Sequence, residues 1–258
     1  MAVRDLCAFQ VPQYQRQKWI EETEFFYSQA NKRLMSQFSD EIMTSDADEY
    51  AERVYEKLGE RFNPDFHDPG CDAEDAFHEG VEFYRLLSEM KDDVRLSMVS
   101  TMFQNWEKEL REWLVHEVRY WCPGHEVKEA IWAGTVDEIY NLLKVSGFYD
   151  VRAQPFFRSL DALRLVVNVF KHGDGKSLKD LDRKYPRFTA RSHDGFYAQN
   201  LRMRLLRHEH MVVTDADFEE FCHALISFWQ GLPDNMMVSE VKKLPQWMQN
   251  ASSAAEEV

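Results

Sequence analysis

The sequence predicts an all-α protein, built as a compact multi-helix bundle with at most one very short strand. Two features of the composition support this: only 10 glycines and 8 prolines interrupt 258 residues, and 44% of the residues are hydrophobic. The third observation is the stretch from Ala73 to Trp121, which has no proline, a single glycine and apolar residues at every third or fourth position. Sparse turn residues and a period near 3.6 are typical of long amphipathic helices.

The N-terminal residues carry two helical patterns. Aromatic and aliphatic residues form a ragged stripe over 13–38, and apolar residues recur at four-residue spacing within 46–62. Segment 63–72 holds two prolines and a glycine, which predicts a loop. We therefore expect residues 1–62 to form a helical arm or subdomain, separated by this loop from the main helical core.

The helical core is expected over residues 73–233. After the long helix, residues 126–146 predict one further helix, and residues 155–171 predict another that ends before Gly173. A short helix or turn is expected at 176–181. These elements supply several helices with apolar faces, which can bury one another in a bundle.

The last part of the core combines one strand and one helix. MVVT, at residues 211–214, is rich in β-branched residues and is the segment that we expect to form the short strand. Thr214 and Asp217 have the spacing of a capping box, so a helix is expected over 215–231. Residues 234–258 follow as a C-terminal tail.

Charge is distributed unevenly along the chain. The net charge is −14, which excludes a protein that coats nucleic acid through a broad basic surface. Residues 151–210, however, contain 13 basic and 6 acidic side chains and so carry +7. This segment is suited either to a local contact with a phosphate backbone or to neutralising the acidic helices around it.

We expect a cytoplasmic protein without a metal or other cofactor. The first residues lack the apolar run of a signal peptide, and no stretch is apolar enough to span a bilayer. The four cysteines are scattered without CxxC spacing, and no HExxH motif occurs. The GDGKS sequence at 173–177 lacks the upstream glycine and the preceding strand of a phosphate-binding loop.

One polar ridge interrupts the apolar helix predicted over 155–171. Arg164, Asn168 and His172 are four residues apart, so they lie on one face of the helix. Buried polar groups cost free energy unless they are paired. The ridge therefore requires solvent, an internal hydrogen-bond network or a second subunit.

The sequence NVFKHG, late on this apolar helix, resembles the motif of the HEPN superfamily. The ribonucleases of that family carry an arginine, a polar residue that is often asparagine, and a histidine that is often followed by glycine. Asn168, His172 and Gly173 match the pattern, whereas the position of the family's arginine holds Val167. The resemblance covers most of the predicted core and implies a HEPN-like helical bundle.

The resemblance also implies a function. Such a protein would belong to a bacterial defence or toxin–antitoxin system and would cut RNA without a metal ion, as a homodimer or in a complex with another defence protein. His172 would act as general acid or base, and the nucleophile would be the 2′-OH, which DNA lacks. A cation, Arg164 or Lys171, would stabilise the negative charge on the phosphate. Asn168 completes the predicted catalytic set.

The residues alone leave two alternatives open. Asn168 and His172 can be structural groups that cap the helix end, in which case the chain would be a non-catalytic interaction module that binds an effector or sensor protein. The basic segment around 197–210 either contacts RNA or is a solvated helix face. The predicted RNA-binding residues are Lys171, Lys176, Arg202, Arg204 and Arg207.

Overall fold

The computed structural model describes residues 6–61, 63, 68–122, 124–189, 206–238 and 245–248. Within these ranges the chain forms eight α-helices and one two-stranded antiparallel sheet, which confirms the predicted all-α fold class. The helices are α1 Gln13–Arg33, α2 Asp40–Gly59, α3 Pro69–Val118, α4 His125–Ala133, α5 Val136–Gly147, α6 Phe157–His172, α7 Lys176–Lys184 and α8 Asp215–Gly231. The strands are β1 Leu6–Gln10 and β2 Asn235–Val238.

The chain divides into two compact units. One consists of Met1–Tyr27 together with Val99–Val258, and the other of Ser28–Met98. The division falls inside α1 and inside α3, whereas the sequence predicted a boundary at the 63–72 loop. Helix α3 begins at Pro69, so the last residues of that predicted loop are helical. Every described residue of the candidate site belongs to the first unit.

In the Ser28–Met98 unit, α2 packs closely against the first half of α3. The rings of Tyr50 and Phe83 are stacked, with their centroids 4.6 Å apart. A Cβ atom on Gly80 would lie 2.9 Å from the Cβ of Ala51, which is closer than two non-bonded carbon atoms approach without a shift. The missing side chain at Gly80 therefore allows the two helices to pack at short range.

The core of the first unit is rich in tryptophan. Trp229 of α8 stacks on Trp19 of α1, with ring centroids 4.1 Å apart, and Trp113 of α3 packs edge-on against both rings. Phe228 meets Trp106 edge-on at 5.0 Å. Aromatic side chains bury large apolar areas, so this cluster joins α1, α3 and α8 through the hydrophobic effect.

The sheet is tied to α3 by side-chain hydrogen bonds. Strand β2, which lies in the predicted tail, pairs with one edge of β1. On the β1 backbone, the indole N–H groups of Trp113 and Trp121 donate to the carbonyls of Gln10 and Ala8, each at 2.8 Å. The N–H of Gln10 donates to Glu117 Oε2 at 2.7 Å. These bonds satisfy three backbone groups of β1 with side chains from outside the sheet.

Two predicted elements differ from the structure. The strand expected at 211–214 is wrong: the structure assigns no strand to this segment, although the N–H of Val212 donates to the carbonyl of Phe188 at 2.8 Å. The single helix expected over 126–146 is two helices, α4 and α5. The break occurs because Thr135 and Glu138 form a capping box that starts a new helix.

Candidate functional site

Helix α6 presents the predicted polar ridge. Arg164 and Asn168 are half-buried, and Lys171 and His172 are exposed. The helix ends at Gly173, whose φ of 65° lies in the left-handed region that glycine adopts without strain. The buried apolar residues that hold the helix in place are Leu160, Ala162, Leu163, Leu165, Val166, Val167 and Val169.

An open groove beside α6 brings part of the predicted site together. It encloses about 440 Å³ and is lined by α3, the α4–α5 junction and α6. Its charged and amide side chains are Glu107, Arg111, Asp137, Arg164, Asn168 and Lys171. The groove therefore unites three residues that the sequence singled out, Arg164, Asn168 and Lys171, while His172 does not line it.

Arg164 is held by carboxylates. Its guanidinium donates to Asp161 Oδ1 at 2.6 Å and lies 3.7 Å from Asp137 Oδ2. Asp161 is only 4% exposed, and its other oxygen accepts from Lys184 Nζ at 2.8 Å and from the Tyr185 hydroxyl at 3.0 Å. Burial opposes ionisation of Asp161, but the hydrogen bonds from Lys184 and Arg164 outweigh it and keep the pKa of Asp161 below its ordinary value. In this arrangement Arg164 is a structural cation.

Arg111 is a second structural cation in the groove. The side chain is 5% exposed, pairs with Glu107 one turn earlier on α3, and donates to the backbone carbonyl of Ile131 at the end of α4. It thus satisfies a carbonyl that has no partner within its own helix. Glu107 and Arg111 were not among the predicted site residues, although their four-residue spacing on a helix favours such a pair.

Lys171 differs from the two arginines. Within the ranges that the structure describes, it has no carboxylate partner, although it lines the groove. Asn168, one turn earlier, likewise has no hydrogen-bond partner among the described residues. A cation and an amide therefore remain available to a bound molecule on the α6 side of the groove.

The C-terminal end of α6 carries a pair that the sequence argument missed. The backbone N–H of His208 donates to Asp174 Oδ1 at 2.7 Å, and His208 Nδ1 lies 3.0 Å from the same oxygen. A Cβ atom on Gly173 would lie 3.6 Å from His208 Nδ1. The His208 ring therefore packs beside the residue that follows His172, which itself is exposed.

Two more of the predicted RNA-binding residues, Lys176 and Arg207, lie near this end of α6. Lys176 is exposed at the start of α7, two positions after Asp174, and Arg207 is exposed immediately before His208. The hydrogen bonds between His208 and Asp174 bring these two segments together. Arg202 and Arg204 lie outside the described residues.

A second groove, between α1 and α3, is acidic. It encloses about 360 Å³ and contains Glu22, Glu109 and Glu112. Burial, followed by repulsion from Glu22, raises the pKa of Glu109 to about 7, although Lys18 opposes this shift. Among the described residues no group of three His, Cys, Asp or Glu side chains is placed to hold a metal ion. The groove thus contains a carboxyl group that ionises near neutral pH.

Glu109→Gln is expected to raise the free energy of unfolding above pH 7, because it removes a carboxylate that is half-buried and repelled by Glu22. The gain is on the order of 1 kcal/mol, since solvent screens part of that repulsion. The pKa of Glu109 is about 7 in the folded protein and 4.5 ordinarily, so wild-type stability falls as pH rises between these values. Urea unfolding across this window should show a smaller fall in the variant. Glu24→Gln, at an exposed position on α1, is the control, and identical pH profiles for Glu109→Gln and wild type would contradict the prediction.

The chain matches no known protein family, no curated protein and no solved structure in the three comparisons made. No helix in the described part of the chain combines the length and apolarity needed to cross a membrane. The likeness to the HEPN superfamily therefore stays a prediction that rests on Asn168, His172 and Gly173.

Proposed function

We propose that the chain is a HEPN-like component of a bacterial defence or toxin–antitoxin system and that it cleaves RNA without a metal ion at the C-terminal end of α6. The observation that carries this proposal is the state of Lys171. It is the groove cation that has no carboxylate partner among the described residues, and it directly precedes the exposed His172. A cation and an exposed imidazole at the same helix end are two groups that cleavage of a phosphodiester requires.

The roles follow from the chemistry of RNA. His172 takes the proton from the 2′-OH, because an imidazole exchanges protons readily near neutral pH. Lys171 stabilises the negative charge that develops on the phosphate, the role for which Arg164 was the other candidate. Asn168 offers an amide N–H to the same phosphate from one turn earlier on α6. The predicted partners, a second copy or another defence protein, would cover the open side of the site.

A second function is favoured by the pairing of the two arginines. Arg111 and Arg164 line the same groove but are bound to Glu107 and Asp161, so most of the groove's positive charge is neutralised within the fold. A groove with balanced charge and two aromatic lining residues, Phe103 and Trp132, suits a protein segment better than a phosphate chain. In this alternative the chain is a non-catalytic interaction module that holds an effector or sensor protein.

His172→Ala is expected to lower RNA cleavage by about 100-fold or more, the usual loss when a general acid or base is removed. Purified protein would be incubated with total RNA and with tRNA in EDTA, and growth would be followed on expression. Lys171→Ala is expected to show a loss of similar order, because it removes the cation. His223→Ala changes an exposed histidine on α8 and should cleave as the wild type does.

The thermal unfolding midpoints of these variants should match that of the wild type, since all three side chains are exposed. A wild-type protein that leaves RNA uncut and harms no host would refute ribonuclease activity and would leave the interaction module as the better function. Loss of solubility in His172→Ala would support a structural role for this residue.

A further inference from the structure

We propose that His208 is the general acid of this site and that Asp174 positions it; the inference rests on the proposed ribonuclease activity. The 2′-OH reaction needs two proton transfers, one from the nucleophile and one to the leaving 5′-oxygen. His172 accounts for the first. The described residues around Gly173 offer a second imidazole, His208, whose ring packs beside this glycine.

Asp174 holds His208 in a defined orientation. One carboxylate oxygen, Oδ1, accepts from the backbone N–H of His208 at 2.7 Å and contacts Nδ1 of its ring at 3.0 Å. A carboxylate at Nδ1 selects the tautomer with a proton on Nδ1, so that Nε2 is the nitrogen that gains and loses a proton. The hydrogen bonds from the backbone and ring of His208 also hold the pKa of Asp174 below its ordinary value, so it is ionised at neutral pH.

Gly173 ends α6 beside the His208 ring. Its φ of 65° stops the helix, and a Cβ atom at this position would lie 3.6 Å from His208 Nδ1, at ordinary contact distance. The ring therefore lies next to the turn that carries His172. His210 is less suited to the role, because its Nδ1 already accepts from the backbone N–H of Arg207 at 3.0 Å.

The step balances with the two imidazoles alone. His172 removes the proton from the 2′-OH, and the 2′-oxygen forms a bond to phosphorus. The bond between phosphorus and the 5′-oxygen breaks, its electron pair goes to that oxygen, and His208 Nε2 delivers a proton to it. The products are a 2′,3′-cyclic phosphate and a free 5′-OH, and proton exchange with water restores both imidazoles.

The test uses two dinucleotide substrates that differ in the leaving atom. His208→Ala should slow cleavage of ordinary RNA by about 100-fold or more. On the same dinucleotide with sulfur in place of the 5′-oxygen, the rate of His208→Ala should recover to within about tenfold of the wild-type rate. The reason is that a thiol has a pKa of about 8.5, so the sulfur leaves without being protonated. His172→Ala should be slow on both substrates, and His223→Ala should be normal on both. Asp174→Asn should show a weaker form of the His208→Ala pattern.

The outcomes separate this inference from the proposed function. Should the wild type cleave neither dinucleotide nor larger RNA, both ideas fail. A second outcome overturns only the assignment of His208. In that outcome the wild type cleaves and His172→Ala is inactive, but His208→Ala either keeps the full rate or loses it equally on the oxygen and sulfur substrates. Circular dichroism of each variant verifies that the fold is retained, which is expected because His208 and Asp174 are both about half exposed.

Discussion

Asp161→Ala is expected to lower the free energy of unfolding by about 3 kcal/mol. Asp161 is a buried carboxylate that receives hydrogen bonds from Arg164, Lys184 and Tyr185. Among the described residues, its removal leaves the half-buried guanidinium of Arg164 with the longer ion pair to Asp137 at 3.7 Å, and a buried charge that loses its main partner is costly. Urea unfolding followed by far-ultraviolet circular dichroism at neutral pH measures this loss.

The matched control is Asp180→Ala on α7. Asp180 pairs with Arg183 three residues later at 2.7 Å, with the same spacing and almost the same distance as Asp161 with Arg164. Because Arg183 is 72% exposed, we expect a change within about 0.5 kcal/mol. Equal effects of the two substitutions would contradict the structural role of Asp161. The contribution of Asp161 is complete above its ordinary pKa of 3.8 and is lost as the pH falls below it.

Trp229→Ala is expected to lower the free energy of unfolding by about 3–5 kcal/mol. Trp229 is completely buried, and its ring stacks on Trp19 with centroids 4.1 Å apart. Truncation removes these ring contacts and leaves a cavity that the surrounding α1, α3 and α8 helices cannot fill without moving. The same urea experiment measures the change.

Two comparisons make the Trp229 result specific. Trp132 on α4 is 41% exposed, so Trp132→Ala should cost about 1 kcal/mol or less. Trp229→Phe should cost less than Trp229→Ala, because it keeps an aromatic ring and removes an indole N–H that has no partner among the residues described. A small loss in Trp229→Ala would show that the aromatic cluster is not a stabilising core.

The parts of the fold that depend on local sequence could be predicted. The long apolar period from Ala73 to Trp121 corresponds to α3, and the capping box of Thr214 and Asp217 begins α8 as predicted. Both depend on residues within a few positions of one another. The break at Thr135 was equally local, because the Thr-x-x-Glu spacing with Glu138 was present in the sequence.

The sheet could not be predicted in the same way. Residues 211–214 have strand propensity, but the segment that lies beside Val212 is the short 3-10 helix around Phe188, which is not a strand. Strands β1 and β2 have modest propensity, and pairing with each other and with side chains of α3 determines their structure. Such partners are distant in sequence, so hydrophobic periodicity and composition do not predict them.

The candidate site shows the same limit. The four-residue spacing correctly placed Arg164 and Asn168 on one face of α6. The groups that decide what these residues can do come from elsewhere: Lys184 from α7, and His208 from a segment beyond it. Asp161, three positions before Arg164, was the one partner that helix geometry alone could have shown.

The pairing of β1 with β2 has a consequence for synthesis on the ribosome. Cys7 and Asn235 are separated by 228 residues, so β1 emerges on the order of 10 to 50 seconds before its strand partner. An unpaired strand edge is a template for aggregation during that interval. Trp113 and Glu117 of α3, and Trp121 in the turn after it, are synthesised much earlier than β2 and can bind the β1 backbone first. We therefore expect these side chains to cover part of the β1 backbone during synthesis, while the groups that bond β2 stay open until β2 is made.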